Sequence, residues 1–174
     1  MVEKKAGKPF CFWYCGHEPH RFYEYGTGVS VGKKNLTQID SVFSYWPKSE
    51  TVKNDMLDYA FELEYFDQQL GGILKVLEES GELENTIIVV TSDNGMPFPR
   101  VKGMSYEHST HMPLAIMWKN GIKNSGKFIK ENVRFIDFAA TFVEIVGINA
   151  KELVNQTIQE RGLQPYFNLN YTSI

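Results

Sequence analysis

Two neighbouring residues in the middle of the chain have side chains suited to a metal site. Asp93 and Asn94 follow the apolar run 86–90, and they present a carboxylate and an amide oxygen. Oxygens of this kind are the ligands that a hard dication such as Ca²⁺ prefers. Asp-Asn-Gly is also a common turn sequence, because Asp and Asn bond their own backbone and Gly95 accepts a positive φ. A metal site and a plain turn are therefore both open at this position.

A second polar group follows the apolar run 9–16. His17, His20 and Arg21 lie within five positions, and Pro19 favours an extended backbone at the residue before it. Guanidinium and protonated imidazole groups bind the oxygens of sulfate or phosphate, and neutral imidazole also ligates metals. The group predicts an anion or metal site, with solvated loop histidines as the alternative.

Further cations follow in a stretch that cannot be regular structure. Two prolines and a glycine interrupt residues 96–103, which we therefore predict to be a loop. Arg100 and Lys102 in this loop could bring positive charge to the site, or they could be solvated surface residues. His108 and His111 follow shortly afterwards and are further candidates for substrate binding.

Three apolar runs predict the strands that would position these side chains. The runs 9–16, 86–90 and 113–118 are nearly continuous in aromatic, aliphatic and β-branched residues, as is typical of strands covered on both faces. In one mostly parallel sheet, their polar ends would meet where open α/β folds bind ligands. The glycine-rich stretch 22–46 has no clear period, and we interpret it as a long surface loop.

Helical spacing appears twice. Apolar residues recur every three or four positions over 49–80, where Ser49 or Thr51 could cap the start and Gly81 the end. A second, shorter pattern covers 133–146. A long helix followed closely by a strand is an α/β unit.

Composition narrows the class of protein. The 174 residues are 43% hydrophobic and 22% charged, which is normal for a globular domain. A net charge of −3 with scattered cations makes nucleic acid an unsuitable partner. No apolar run approaches the roughly 18 residues of a membrane span, and no export signal is visible. Cys11 and Cys15, four apart in a predicted strand, would be too distant for a disulfide, and we expect both to be small buried hydrophobes.

The order and spacing of these motifs resemble the sulfatase family, with closest similarity to the heparan N-sulfatase (sulfamidase) type. The resemblance covers about residues 9–147. It implies a three-layer α/β sandwich with a mostly parallel or mixed central sheet flanked by helices. It also implies hydrolysis of an O-sulfate or N-sulfate, on a sulfated saccharide or a small sulfate ester. The motifs that carry it are His-x-Pro-His-Arg at 17–21, Thr-Ser-Asp-Asn-Gly at 91–95, Pro-Phe-Pro at 97–99, the basic Lys102, Tyr-Glu at 106–107 and His-Met-Pro-Leu-Ala at 111–115.

The resemblance also implies roles for four residues. Asp93 and Asn94 match two ligands of an active-site Ca²⁺, His20 matches a histidine that touches the sulfate, and Lys102 matches a basic residue that binds a sulfate oxygen. Such proteins are secreted, periplasmic or lysosomal. The remaining polar candidates would line the substrate, namely His17, Arg21, Arg100, His108 and His111.

Two features of the family pattern are missing from the sequence. Sulfatases attack with a formylglycine made from Cys-x-Pro/Ala-x-Arg or its Ser equivalent, and neither Cys11 nor Cys15 begins that motif. Their metal site also uses an Asp-Asp pair, and the sequence contains no such dipeptide. We therefore interpret residues 1–174 as part of one sulfatase catalytic domain, without its nucleophile segment and C-terminal subdomain. We expect the chain alone to be inactive.

Two other functions remain open. A phosphatase or phosphodiesterase of the same superfamily would use a Thr or Ser nucleophile, usually with more His and Asp ligands for paired Zn²⁺. A noncatalytic remnant would bind a sulfated glycan or a partner chain. Whatever the function, the missing N-terminal part should supply neighbouring strands, so we expect the chain alone to expose apolar surface and to self-associate or pair with that part.

Overall fold

The computed structural model describes residues 8–148, which form two compact units. The first unit contains residues 8–76 and 94–111, and the second contains residues 77–93 and 112–148. None of the helices in this described part of the chain is long and apolar enough to cross a membrane.

One long helix organises the first unit. Helix α2 runs over Glu50–Glu79 and confirms the predicted helix at 49–80. Its start is capped by Ser49, whose Oγ accepts a hydrogen bond from the backbone N–H of Val52 at 3.3 Å. Gly81, at φ 73°, ends it in a Schellman motif, because the N–H groups of Gly81 and Glu82 bond back into the last turn.

The stretch 22–46, predicted to be a surface loop, contains two short helical turns. Helix α1 covers Thr27–Ser30, and a 3-10 turn covers Leu36–Gln38. Asp58 of α2 holds α1 in place, since its carboxylate accepts the N–H groups of Gly26 and Gly28 at 2.8 and 2.7 Å. Helix α3, at Glu107–Thr110, is a single turn later in the same unit.

An aromatic cluster forms the core of the first unit. Trp46, Phe98 and Val101 are buried, with Phe43 and Tyr59 packed against them. The Trp46 indole N–H donates to the Pro99 carbonyl at 2.9 Å, which fixes the proline-rich loop to this core. The loop predicted at 96–103 is therefore irregular in backbone but well packed.

The second unit contains the only strands among residues 8–148. Strand β1 (Ile88–Thr91) pairs with β2 (Leu114–Met117) in antiparallel register, with Ile88 opposite Met117 and Thr91 opposite Leu114. A 3-10 turn at Leu83–Asn85 precedes β1, and helix α4 covers Phe135–Ile145 within the predicted 133–146.

The mixture of helices with a strand pair agrees with an α/β class, and the antiparallel pairing is allowed by the predicted mixed sheet. Two details of the predicted strands are wrong for the described residues, because the paired strands are only half-buried or exposed and residues 9–16 form no strand. A strand needs a neighbour for its backbone hydrogen bonds, and apolar sequence alone does not supply one. The described part of the chain shows no three-layer sandwich.

The expected burial of the two cysteines is also wrong. Cys11 and Cys15 are free and exposed, as is most of the surrounding run. Trp13 is 79% exposed and Phe12 is 59% exposed. This run has the apolar composition of a core strand, but most of it is exposed in the part of the chain that the structure describes.

Candidate functional site

In the segment after β1, the backbone at Gly95 packs closely against His108 and Val101. A Cβ at Gly95 would lie 2.2 Å from the carbonyl oxygen of His108 and 2.7 Å from a methyl of Val101, so only glycine fits. The neighbouring Asn94 side chain donates its Nδ2 to the Gly95 carbonyl at 3.0 Å. Gly95 does not adopt a positive φ, so close packing rather than the expected turn geometry explains the glycine at this position.

In the chain, the division between the two units falls between the two predicted metal ligands. Asp93 is exposed and belongs to the second unit, whereas Asn94 is partly buried and belongs to the first. Among residues 8–148, no group of three or more His, Cys, Asp and Glu side chains could hold a metal ion. Shared ligation by Asp93 and Asn94 stays a prediction.

The His-x-Pro-His-Arg motif forms a tight turn in the first unit. The backbone N–H of His20 donates to the carbonyl of His17 at 2.7 Å, and the peptide before Pro19 is cis. Both imidazoles are exposed, and the His20 ring lies 5.0 Å from the ring of Phe22. The turn thus presents its histidines to solvent.

Arg21 points instead at neighbouring protein groups. Its guanidinium forms an ion pair with Asp55 of α2 and lies 5.2 Å from the ring centroid of Phe98 and 5.8 Å from that of Tyr23. A shallow groove of about 480 Å³ borders this pair and is lined by Trp46 and prolines of the neighbouring loops.

The two basic side chains of the proline-rich loop, Arg100 and Lys102, differ in their contacts. Lys102 is exposed, and its ammonium has no side-chain partner within residues 8–148. Its backbone N–H donates to the Met96 carbonyl at 3.2 Å, which closes the loop. The Arg100 guanidinium lies 5.5 Å from the ring centroid of Tyr45, at the distance of a cation–π contact.

The last two candidates lie on and beside α3. The His108 ring stacks on Phe43 at 4.4 Å, and the ring of His111 contacts the Glu107 carboxylate at 2.8 Å. Both side chains are exposed. His108 thereby joins the surface of the aromatic cluster, whereas His111 is paired with its own helix.

Eight of the nine predicted site residues therefore belong to the first unit, and Asp93 is the exception. Sequence reasoning missed the residues that hold their segments in place, above all Asp55 and Asp58. The signal was present, because two carboxylates three apart lie on one face of a helix.

Burial changes the acidity of two side chains beside these anchors. It raises the pKa of Tyr23 to about 12, helped by the negative charge of Asp55, and no hydrogen-bond partner is present for the buried hydroxyl in the described residues. Burial is also the main cause that raises the pKa of Glu62, with repulsion from Glu18 and Asp58 adding to it. The α2 face toward the motif is therefore crowded with acidic groups.

The sequence is similar to those of several known sulfatases. The chain is 35% identical to an ulvan-active sulfatase of Formosa agariphila over 136 residues, covering 78% of this chain and 22% of that protein. It is 37% identical to an N-acetylglucosamine-6-O-sulfatase of Bacteroides thetaiotaomicron over 63% of this chain and 20% of that protein. It is 26% identical to the human N-sulphoglucosamine sulphohydrolase over 85% of this chain and 33% of that protein.

The chain thus spans between about a fifth and a third of the length of these curated relatives. No solved structure gives a significant match. The family model described as Sulfatase matches residues 1–148. Since that match covers well over half of the 174 residues, the chain belongs to the sulfatase family.

Proposed function

We propose that this chain carries the sulfate-binding half of a sulfatase active site that acts on a sulfated saccharide. His20 and Lys102 would bind the oxygens of the sulfate group. Two of the relatives are named for sulfated glucosamine derivatives, and a third is named as an ulvan-active sulfatase. This supports a saccharide as the substrate class, with the O-sulfate or N-sulfate linkage left open.

The observation that supports the proposal is that some basic side chains of the site already have a carboxylate partner and others do not. Arg21 and His111 already pair with carboxylates. Lys102 is exposed without a side-chain partner in the described chain, and His20 and Arg100 are exposed with only an aromatic ring as a neighbour. Lys102 and His20, the two side chains that the family resemblance assigns to sulfate, are thus available to donate hydrogen bonds to an anion.

The proposal includes Ca²⁺ bound by Asp93 and Asn94. Carboxylate and amide oxygens suit this ion in type, but Ca²⁺ takes roughly six to eight oxygens. No group of three potential acidic, His or Cys ligands exists within residues 8–148, so two side chains would leave most of the shell to water. When bound, the ion would supply positive charge beside the sulfate, and we expect weak binding by this chain alone.

The remaining candidates complete the proposed site. His17 and His108 are exposed and could contact the saccharide around the sulfate, with Arg21, Arg100 and His111 further out. Hydrolysis would also need a nucleophile that the sequence does not show, because the covalent step splits one difficult displacement into two easier ones. We therefore propose that turnover requires a complementary sulfatase segment.

Binding can be measured by NMR titration of the labelled chain with glucosamine N-sulfate and glucosamine 6-O-sulfate. We expect shifts at His20 and Lys102, and an affinity that falls at least about tenfold in Lys102→Met, because one charge-assisted hydrogen bond is lost. Lys48→Met is the matched control, since Lys48 is an exposed lysine of the same unit. Equal losses in the two variants, or no binding by the wild type, would refute the proposed site.

Turnover can be measured as sulfate release from 4-nitrocatechol sulfate and from N-sulfated glucosamine, with added Ca²⁺. We expect none from the purified chain. Release that disappears in Asp93→Ala would show that the chain contains a nucleophile after all, and Ser105, Ser109 and Thr110 would be the residues to examine. Binding without any turnover, even when the complementary segment is supplied, would favour the noncatalytic alternative.

A further inference from the structure

The guanidinium of Arg21 contacts both the long helix and the loop of Lys102, beside the two proposed sulfate-binding side chains. Arg21 follows His20 directly in the chain, and its guanidinium pairs with Asp55 of α2. The same guanidinium lies 5.2 Å from the ring centroid of Phe98, four residues before Lys102. Arg21 therefore contacts both the long helix and the loop of Lys102.

The surface beneath Arg21 is closely packed. Phe98 is 5% exposed and packs against Trp46 at 5.0 Å between ring centroids, and Val101 next to Lys102 is completely buried. The hydrogen bond from Trp46 to the Pro99 carbonyl holds the loop on the same core. A guanidinium held on this surface has a defined position, because it is planar and can stack and pair at once.

Helix α2 also holds the far end of the histidine segment. Asp58, one turn after Asp55, is fully buried and accepts the N–H groups of Gly26 and Gly28. Two carboxylates on one helix face thus bind both ends of residues 21–28. The conformation just after His20 is set by α2 and by the aromatic cluster.

We propose that Arg21 and Asp55 are positioning residues, which set the placement of His20 and Lys102 without contacting the sulfate themselves. This inference rests on the proposed function, and it changes the expected role of Arg21 from substrate contact to support. Its guanidinium already has a carboxylate partner and lies beside two aromatic rings, so its position is set by neighbouring protein groups.

The direction in which Asp55→Asn changes the affinity for the sulfated sugar distinguishes a positioning role from direct binding of the sulfate by Arg21. Asp55→Asn removes a negative charge beside the proposed anion site and frees the Arg21 guanidinium. If Arg21 bound the sulfate directly, the variant would bind glucosamine N-sulfate equally well or more tightly. If the pair positions His20 and Lys102, the variant binds more weakly, and we expect a loss of about tenfold, the size of one charge-assisted hydrogen bond.

Glu64→Gln is the matched control. It removes a carboxylate from the same helix, where Glu64 pairs with Lys34 of the first unit. We expect its affinity for glucosamine N-sulfate to equal that of the wild type. Arg21→Lys keeps the charge but loses the planar stack, so it should behave like Asp55→Asn. Unchanged or tighter binding in Asp55→Asn, or full affinity in Arg21→Lys, would overturn the proposal.

A second measurement keeps this test separate from the proposed function. The N–H groups of His20 and Lys102 both donate to backbone carbonyls, so their hydrogen exchange reports on the two segments. We expect exchange at both to become about tenfold faster in Asp55→Asn and to stay unchanged in Glu64→Gln. A wild type that fails to bind the sulfated sugar refutes the proposed function, whereas unchanged exchange at either amide in Asp55→Asn refutes the positioning role.

Discussion

Two aromatic regions of the first unit have similar composition and opposite environments. The aromatic cluster (Phe43, Trp46, Tyr59 and Phe98) is closely packed, with Trp46 and Phe98 each 5% exposed. The N-terminal aromatic run (residues 10–14) is largely exposed, although Tyr14 contacts the ring of Phe66 at 5.9 Å. Burial therefore depends on the partners that the rest of the chain supplies.

The partners of the cluster can be identified. Helix α2 supplies Val52, Met56 and Tyr59 on one side, and the proline-rich loop supplies Phe98 and Val101 on the other. The run has no comparable surface within the described residues. Its exposure agrees with the expectation of apolar surface on this chain, and self-association or pairing with a complementary segment stays a prediction.

The largest expected effect on stability comes from replacing one tryptophan in each of the two aromatic regions. Trp46→Ala should lower the free energy of unfolding by about 3–5 kcal/mol, because it leaves a cavity in the cluster and removes the bond to Pro99. Trp13→Ala should change it by less than about 0.5 kcal/mol, since Trp13 is 79% exposed. Urea unfolding followed by far-UV circular dichroism measures both. Similar losses in the two variants would mean that the run is packed in solution.

A smaller loss is expected at the anchor of α1. Asp58→Ala should lower the free energy of unfolding by about 2–3 kcal/mol, because two backbone N–H groups lose their charged acceptor in a buried position. Asp67→Ala is the control, as an exposed carboxylate on the same helix. An effect of Asp58→Ala no greater than that of Asp67→Ala would show that this anchor contributes nothing to stability.

A substitution beside the aromatic cluster should raise the free energy of unfolding rather than lower it. Tyr23→Phe should raise the free energy of unfolding by about 1 kcal/mol, because it removes a buried hydroxyl that has no hydrogen-bond partner in the described residues. The pKa of Tyr23 is raised to about 12, so the wild type loses stability as pH rises through 10, where the unfolded tyrosine ionises. The advantage of the variant should therefore widen between pH 9 and 11. A constant or shrinking difference would argue that the hydroxyl is solvated.

The smallest effect concerns the acidic face of α2. The pKa of Glu62 is raised in the folded chain, so folding favours its protonated form. Its contribution to stability is therefore present at low pH and is lost as pH rises through the folded pKa. Glu62→Gln should stabilise the chain slightly at pH 7, within about 0.5 kcal/mol, and should leave it unchanged at pH 4. Thermal melts at the two pH values test this, and a greater gain at pH 4 would contradict it.

Local sequence signals determined the two longer helices, the two strands and the family of this protein. The apolar spacing over 49–80, with Ser49 before it and Gly81 after it, predicted α2 to within one residue at each end. The runs 86–90 and 113–118 predicted β1 and β2, and the motif order indicated the sulfatase family. These features depend on residues near one another in the chain, which is why pattern reasoning finds them.

Tertiary structure alone decided which apolar and charged residues have partners. The runs 9–16 and 86–90 looked alike as strands, yet within residues 8–148 only the second pairs with another strand, and that strand is antiparallel. The pairing of Arg21 with Asp55 joins positions 34 apart, and the contact of Gly28 with Asp58 joins positions 30 apart. Burial and pKa shifts follow from such distant contacts, because the free energy of an apolar or charged group depends on what surrounds it.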